Sequence, residues 1–134
     1  WRVGEFVPIG VDGSKIDAPR TTSNEALGVA GKDKCGPQMM LLLLVHLGVM
    51  LPWAWKTGKA NDPERTLLRQ SLDLLPQHAL LVADAGFTGF DLLRTFQTRG
   101  VSFLVRVGSG VHLLRHLGCY RREGQSTVYL WPGK

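Results

Sequence analysis

Hydrophobic and polar residues follow one another in short blocks along this chain, and the block lengths favour strands over most of it. Glu5 to Asp12 (EFVPIGVD) predicts a strand running into an Asp12–Gly13 turn, with Pro8 favouring an edge position or a bulge. Ile16 to Lys34 is rich in turn formers and charge and predicts a loop, with at most a short helix near Asn24. Met39 to Leu47 and Val49 to Trp55 predict two apolar strands joined tightly around Gly48, although periodicity alone does not separate them from a buried helix.

The pattern then changes period. Asp62 can cap, Pro63 suits a first helical position and Glu64 suits the positive end of a helix dipole. Leu67, Leu68, Leu72 and Leu75 follow at helical spacing until Pro76. His78 to Asp84 (HALLVAD) predicts an apolar strand buried on both faces. Thr88 with Asp91 has the form of a capping box, opening a helix through Phe96 to a Gly100 cap. Ser102 to Val107 predicts another strand, Gly108 to Gly110 a turn, and Val111–Leu114 and Thr127–Trp131 short strands. Three strands, helix, strand, helix, strand describe an α/β chain with a mixed sheet and helices packed on it. This is the element order of the RNase H-like fold. A doubly wound dinucleotide fold needs a helix directly after the first strand, and the pattern shows none there.

Composition changes this picture mainly through charge. A hydrophobic share of 44% with 20% charged residues excludes wholesale disorder, and 134 residues suffice for one core. The formal net charge is +5. Residues 1–84 are balanced, while residues 85–134 carry Arg94, Arg99, Arg106, Arg115, Arg121, Arg122 and Lys134 against Asp91 and Glu123. Such a skew suits either a polyanion partner, whose counterions are released on binding, or a merely solvated face. Cys35 and Cys119 cannot build a disulfide framework. No signal peptide is evident at the start, and Met39–Trp55 is short and interrupted for a membrane span. We expect a soluble, cytoplasmic protein with no membrane partner. Trp1 in place of a start methionine suggests a trimmed terminus or a fragment.

Two acids close predicted strands: Asp12 the first and Asp84 the fourth. On neighbouring strands their carboxylates would converge and could hold Mg²⁺ ions about 4 Å apart for phosphoryl transfer. Taken singly, each reads more simply as a turn or loop cap. Only their joint placement favours chemistry.

Around these acids the chain resembles a known family. Val11-Asp12-Gly13-Ser14, then Gly36-Pro37-Gln38 and an apolar strand, is similar to the first-Asp region of DDE transposases of bacterial insertion sequences. Leu81-Val82-Ala83-Asp84-Ala85-Gly86-Phe87, then a helix, a Gly and Phe103-Leu104-Val105-Arg106-Val107, resembles their second-Asp region. Val128-Tyr129-Leu130-Trp131-Pro132 resembles the start of the β-rich insertion in the group founded on insertion sequence four. The resemblance implies a partial RNase H-like core over residues 1–110 and the start of that insertion over 111–134. It further implies DNA transposition and recombination with Mg²⁺ or Mn²⁺ at Asp12 and Asp84. Lys15, Lys32, Arg106 and Arg115, on or near the strand ends and the loop beside Asp12, are the residues expected to contact DNA phosphates at transposon ends and target. A nucleoid-associated location and a homodimer of the full-length protein follow from the same resemblance.

The family's third acid is a Glu in a Tyr-x2-Arg-x3-Glu-x6-Lys pattern. Started at Tyr120, that pattern puts Glu123 at the Arg position and Thr127 at the Glu position, and Glu123 itself is expected in a polar turn. The third acid is therefore absent, and the chain is expected to be inactive alone. An RNase H-like nuclease or resolvase, or a non-catalytic nucleic-acid-binding remnant, stays open beside the transposase reading. His112, His116 and Cys119 lack the four-ligand scaffold of a zinc site. Gly28–Lys34 departs from phosphate-loop spacing. Trp53, Trp55 and Trp131 suit packing better than base stacking.

Overall fold

The computed structural model describes residues 1–29, 36–108 and 120–129. Its centre is a five-stranded mixed sheet made of β1 (Val7–Asp17), β2 (Gln38–His46), β3 (Leu51–Lys59), β4 (Ala79–Ala83) and β5 (Ser102–Val105). The strand order is β3-β2-β1-β4-β5. The first three strands form an antiparallel meander, and β4 and β5 add to β1 in parallel. Helix α1 (Glu64–Ser71) connects β3 to β4, and α2 (Phe90–Thr98) connects β4 to β5. This is the RNase H-like arrangement. A separate hairpin, β6 (Tyr120–Glu123) and β7 (Ser126–Tyr129), follows.

Alternation along the strands decides which face is covered. Val7, Ile9 and Val11 of β1, Met40, Leu42 and Leu44 of β2, and Ala79, Leu81 and Ala83 of β4 point to one face. There they form a single core with Leu67, Leu68 and Leu72 from the α1 segment and Leu92, Leu93 and Phe96 of α2. Each large apolar side chain buried in this way contributes roughly 1.5–3 kcal/mol. Phe96 also meets Phe103 of β5 with ring centroids 5.5 Å apart. The opposite face carries Leu41, Leu43, Val45, Leu80, Val82 and Leu104, all at least partly accessible to solvent. Strand β4 is thus buried on one face, among the described residues, instead of the two its apolar run predicts.

Several local expectations change for identifiable reasons. The chain does not turn at Asp12–Gly13: β1 continues to Asp17, and Gly13 pairs with Leu42. A Cβ at Gly13 would fall on the Glu64 side chain, so glycine here serves close packing against α1 and not a turn. Pro8 lies in the central strand, where its carbonyl accepts the Leu47 N–H at 3.0 Å as the β1–β2 ladder ends. The reciprocal bond that proline cannot donate is lost only at that end. Asp62 does not cap α1; its Oδ2 accepts the Lys59 N–H at 2.7 Å and closes the β3–α1 loop. Thr88 likewise donates its hydroxyl to the Ala85 carbonyl instead of capping α2, which starts from Gly89. Gly100 does end α2: at φ +66° its N–H reaches the Gln97 carbonyl, and that of Val101 reaches Phe96. The short helix near Asn24 is a 3-10 turn over Asn24–Leu27. Glu123 is the last residue of β6, with the turn at Gly124 and Gln125. The expected strand at Val111–Leu114 lies outside the described residues.

Candidate functional site

The site begins where two ladders part. The parallel pairing of β1 with β4 ends at Val11 and Ala83, while β1 runs on beside β2. One residue further stand Asp12 and Asp84. Asp84 is still extended (φ −78°, ψ −176°), so alternation turns both acids to the face opposite the helices. Neighbouring strands in a sheet are about 4.8 Å apart, which makes the two acids side-by-side neighbours on that face. Next to Asp84 the row continues with Arg106, whose N–H donates to the Ala83 carbonyl at 2.9 Å as the β4–β5 ladder ends.

Both carboxylates are exposed, and each is held by one backbone donor. Asp12 Oδ1 accepts the Gly13 N–H at 2.9 Å. Asp84 Oδ1 accepts the Gly86 N–H at 2.8 Å and so opens the 3-10 turn Ala85–Phe87. The ion pairs among the described residues, Arg20–Glu25 and Arg99–Asp73, lie elsewhere. Two acids without a cationic partner among the described residues, each with an oxygen not used by these bonds, suit a hard divalent cation as an incomplete ligand set. No third acid, His or Cys joins them among the described residues.

The other sequence candidates scatter. Lys15 pairs with Met40, which places it on the helix-covered face, away from Asp12. It lines a cleft of about 430 Å³ with Met40, Asp62, Glu64, Arg65 and Gly86. Lys32 and Arg115 lie outside the described residues, as do His112, His116 and Cys119. Trp53 donates its indole N–H to the Leu74 carbonyl at 2.8 Å, in keeping with a packing role, while Trp55 is 64% exposed and pairs with Leu43 on the acid face.

Sequence reasoning gave no role to Arg65. Its Nε donates to the Gly86 carbonyl at 2.7 Å, directly behind Asp84. Nothing in the linear pattern links the first turn of one helix to a loop 21 residues later. Only the sheet topology brings them together.

A family model for the transposase DDE domain matches residues 8–130. The chain belongs to the DDE transposase family. Among solved structures it is similar to the Mos1 transposase paired-end complex with left transposon end, at 13% identity and a TM-score of 0.50. That match covers 72% of this chain and 34% of the Mos1 chain. It is also similar to the Mos1 mariner paired end complex with Mn, at 15% identity and a TM-score of 0.52, covering 85% and 42%. At these identities the likeness is one of fold, and the chain spans less than half of either Mos1 chain. No curated protein matches its sequence. Among the described residues no helix is long and apolar enough to cross a membrane.

Proposed function

We propose that this DDE transposase chain carries two of the three acids of a metal-dependent strand-cleaving and strand-transferring site. The reading rests on one observation above all: Asp12 in β1 and Asp84 just after the neighbouring β4 each stand one residue past the last parallel pair, on the same open face. Asp12 and Asp84 would hold Mg²⁺ or Mn²⁺, each through the oxygen its backbone hydrogen bond leaves free. Held there by Asp12 and Asp84, such an ion would supply activation of an attacking water or 3′-hydroxyl and charge compensation at the leaving oxygen. Arg106, next in the same row, meets a phosphate of the strand lying across the acids. The open sheet face lets that strand approach without displacing the core.

The partner is DNA, at transposon ends and target, in keeping with the complexes in which the Mos1 proteins were solved. The full-length protein works as a homodimer on paired ends, in an insertion sequence of the group founded on insertion sequence four. Residues 1–110 form the partial catalytic core, and 111–134 begin the β-rich insertion. A third acid has to reach Asp12 and Asp84 from the side they face, so the segment bearing it packs on Leu43, Leu80, Val82 and Leu104. Without it these 134 residues do not cleave DNA.

Nicking of a labelled duplex bearing the element's ends tests this in the full-length protein. Asp12→Asn and Asp84→Asn should each abolish Mg²⁺-dependent nicking, and retention by either variant would reject the site.

A further inference from the structure

Resting on the metal-site reading above, we infer that Arg65 is a positioning residue that sets the geometry of Asp84 through Gly86. Gly86 is held from two sides. Its N–H donates to Asp84 Oδ1 at 2.8 Å, and its carbonyl accepts from Arg65 Nε at 2.7 Å. The guanidinium also reaches the far end of the same loop, where Arg65 Nη1 would lie 3.3 Å from a Cβ on Gly89. Gly89 has φ +152° and opens α2, so Arg65 lies across the whole connection from Asp84 to the helix.

Physical chemistry gives this contact a consequence for the acid. A charged donor on a carbonyl makes a shorter and stronger bond than a neutral one. Phe87 anchors this connection in the core and Thr88 bonds within it, to the Ala85 carbonyl, while Arg65 adds a hydrogen bond from α1 to Gly86 itself. The space is also tight, since a Cβ on Gly86 would sit 3.0 Å from Asp84 Oδ1. Any drift of Gly86 therefore moves the carboxylate or releases it. With Gly86 fixed, Asp84 Oδ1 is occupied by the N–H and Oδ2 is left for a ligand role. Arg65 is well placed for this because α1 begins beside the sheet end, with Glu64 packed over Gly13, the neighbour of Asp12. The first turn of α1 thus touches the surroundings of both acids.

A positioning role and a purely electrostatic one predict opposite signs. Removing a positive charge near a cation site should tighten cation binding by electrostatics alone. Removing a group that orients a ligand should weaken it, by about 10–100-fold for residues that orient metal ligands. Mn²⁺ binding to the full-length protein, followed by electron paramagnetic resonance of the free ion, reads that sign directly.

Parent, Asp84→Asn, Arg65→Ala, Arg65→Met and Arg65→Lys are compared, with thermal unfolding in metal-free buffer recorded for each. The expected result is strong loss in Asp84→Asn, about 10–100-fold weaker binding in Arg65→Ala and Arg65→Met, and partial rescue in Arg65→Lys. Arg65→Met keeps the aliphatic stem without the donor, and answers the question if truncation to Ala unfolds the protein. Unchanged or tighter Mn²⁺ binding in folded Arg65 variants, with Asp84→Asn still defective, would overturn the role of Arg65 and leave the metal site standing. Parent-like binding by Asp84→Asn would overturn both.

Discussion

Asp12 and Asp84 are adjacent because Val11 and Ala83 are paired: each acid is the next residue after the last rung of a parallel ladder. Their proximity is thus a property of the backbone register, not of a contact between them. Each is anchored by its own local N–H, from Gly13 and Gly86. An Asn at either position keeps a side-chain oxygen for that bond and loses the charge. We expect Asp12→Asn and Asp84→Asn to change stability in metal-free buffer by no more than about 0.5 kcal/mol, as for other exposed substitutions. Mn²⁺ should stabilise the parent thermally, and the same variants should lose that stabilisation. A thermal-shift titration of parent and variants checks both halves, and a large loss of stability without metal would mark these acids as structural.

Arg106 and Lys15 make a second, paired test. Arg106 follows β5 on the row of the two acids, whereas Lys15 faces the cleft on the helix side. Each phosphate contact contributes close to one unit to the slope of log affinity against log salt. Arg106→Ala should lower that slope by about one unit for duplex DNA, and Lys15→Ala should leave it unchanged. Fluorescence anisotropy across a salt series gives the slopes. The reverse result would put the DNA on the helix side of the sheet.

Much of the fold was legible because its elements differ in period. The leucines of α1 and the continuous run at 79–83 mark a helix and a strand with little ambiguity, and Gly100 marks a helix end. The site was legible in its residues and less so in its geometry. Asp-Gly suggested a turn at Asp12, because local statistics do not register that Glu64 needs the space over Gly13. Asp62 and Thr88 looked like caps by position and spend their hydrogen bonds on nearby loops instead. Arg65 had no local mark at all. Its partner is set by the order of strands, which a linear pattern does not encode.

Gly100 tests the local side of this argument. It adopts φ +66°, and a Cβ there would meet nothing within 4 Å. Gly100→Ala therefore strains only the backbone, at a cost of about 1–2 kcal/mol for an L-residue in the left-handed region. Phe96→Ala removes a fully buried ring from the core under α2 and should cost about 3–5 kcal/mol. Urea unfolding of the full-length protein, with unchanged slopes, would give both values. A Gly100→Ala protein as damaged as Phe96→Ala would mean that this helix end does more than turn the chain.

The remaining prediction concerns the open face. Asp12 and Asp84 offer a hard cation two carboxylates where several oxygen ligands are wanted, so water must supply the rest. The isolated 134 residues should accordingly bind Mn²⁺ weakly and nick DNA not at all, or orders of magnitude more slowly than the full-length protein. The apolar side chains beside the acids distinguish an incomplete site from a wrong one. Leu104 is 54% exposed on that face, so Leu104→Lys should leave the stability of the isolated residues within about 0.5 kcal/mol. In the full-length protein the same lysine would be buried under the segment that brings the third acid, and an unpaired buried charge is costly. There it should lower both stability and nicking. Thermal unfolding and nicking, measured for both lengths with and without the substitution, decide the matter. Equal tolerance of Leu104→Lys at both lengths would show that the third acid does not arrive over this face, and efficient cleavage by the 134 residues alone would show that none is needed.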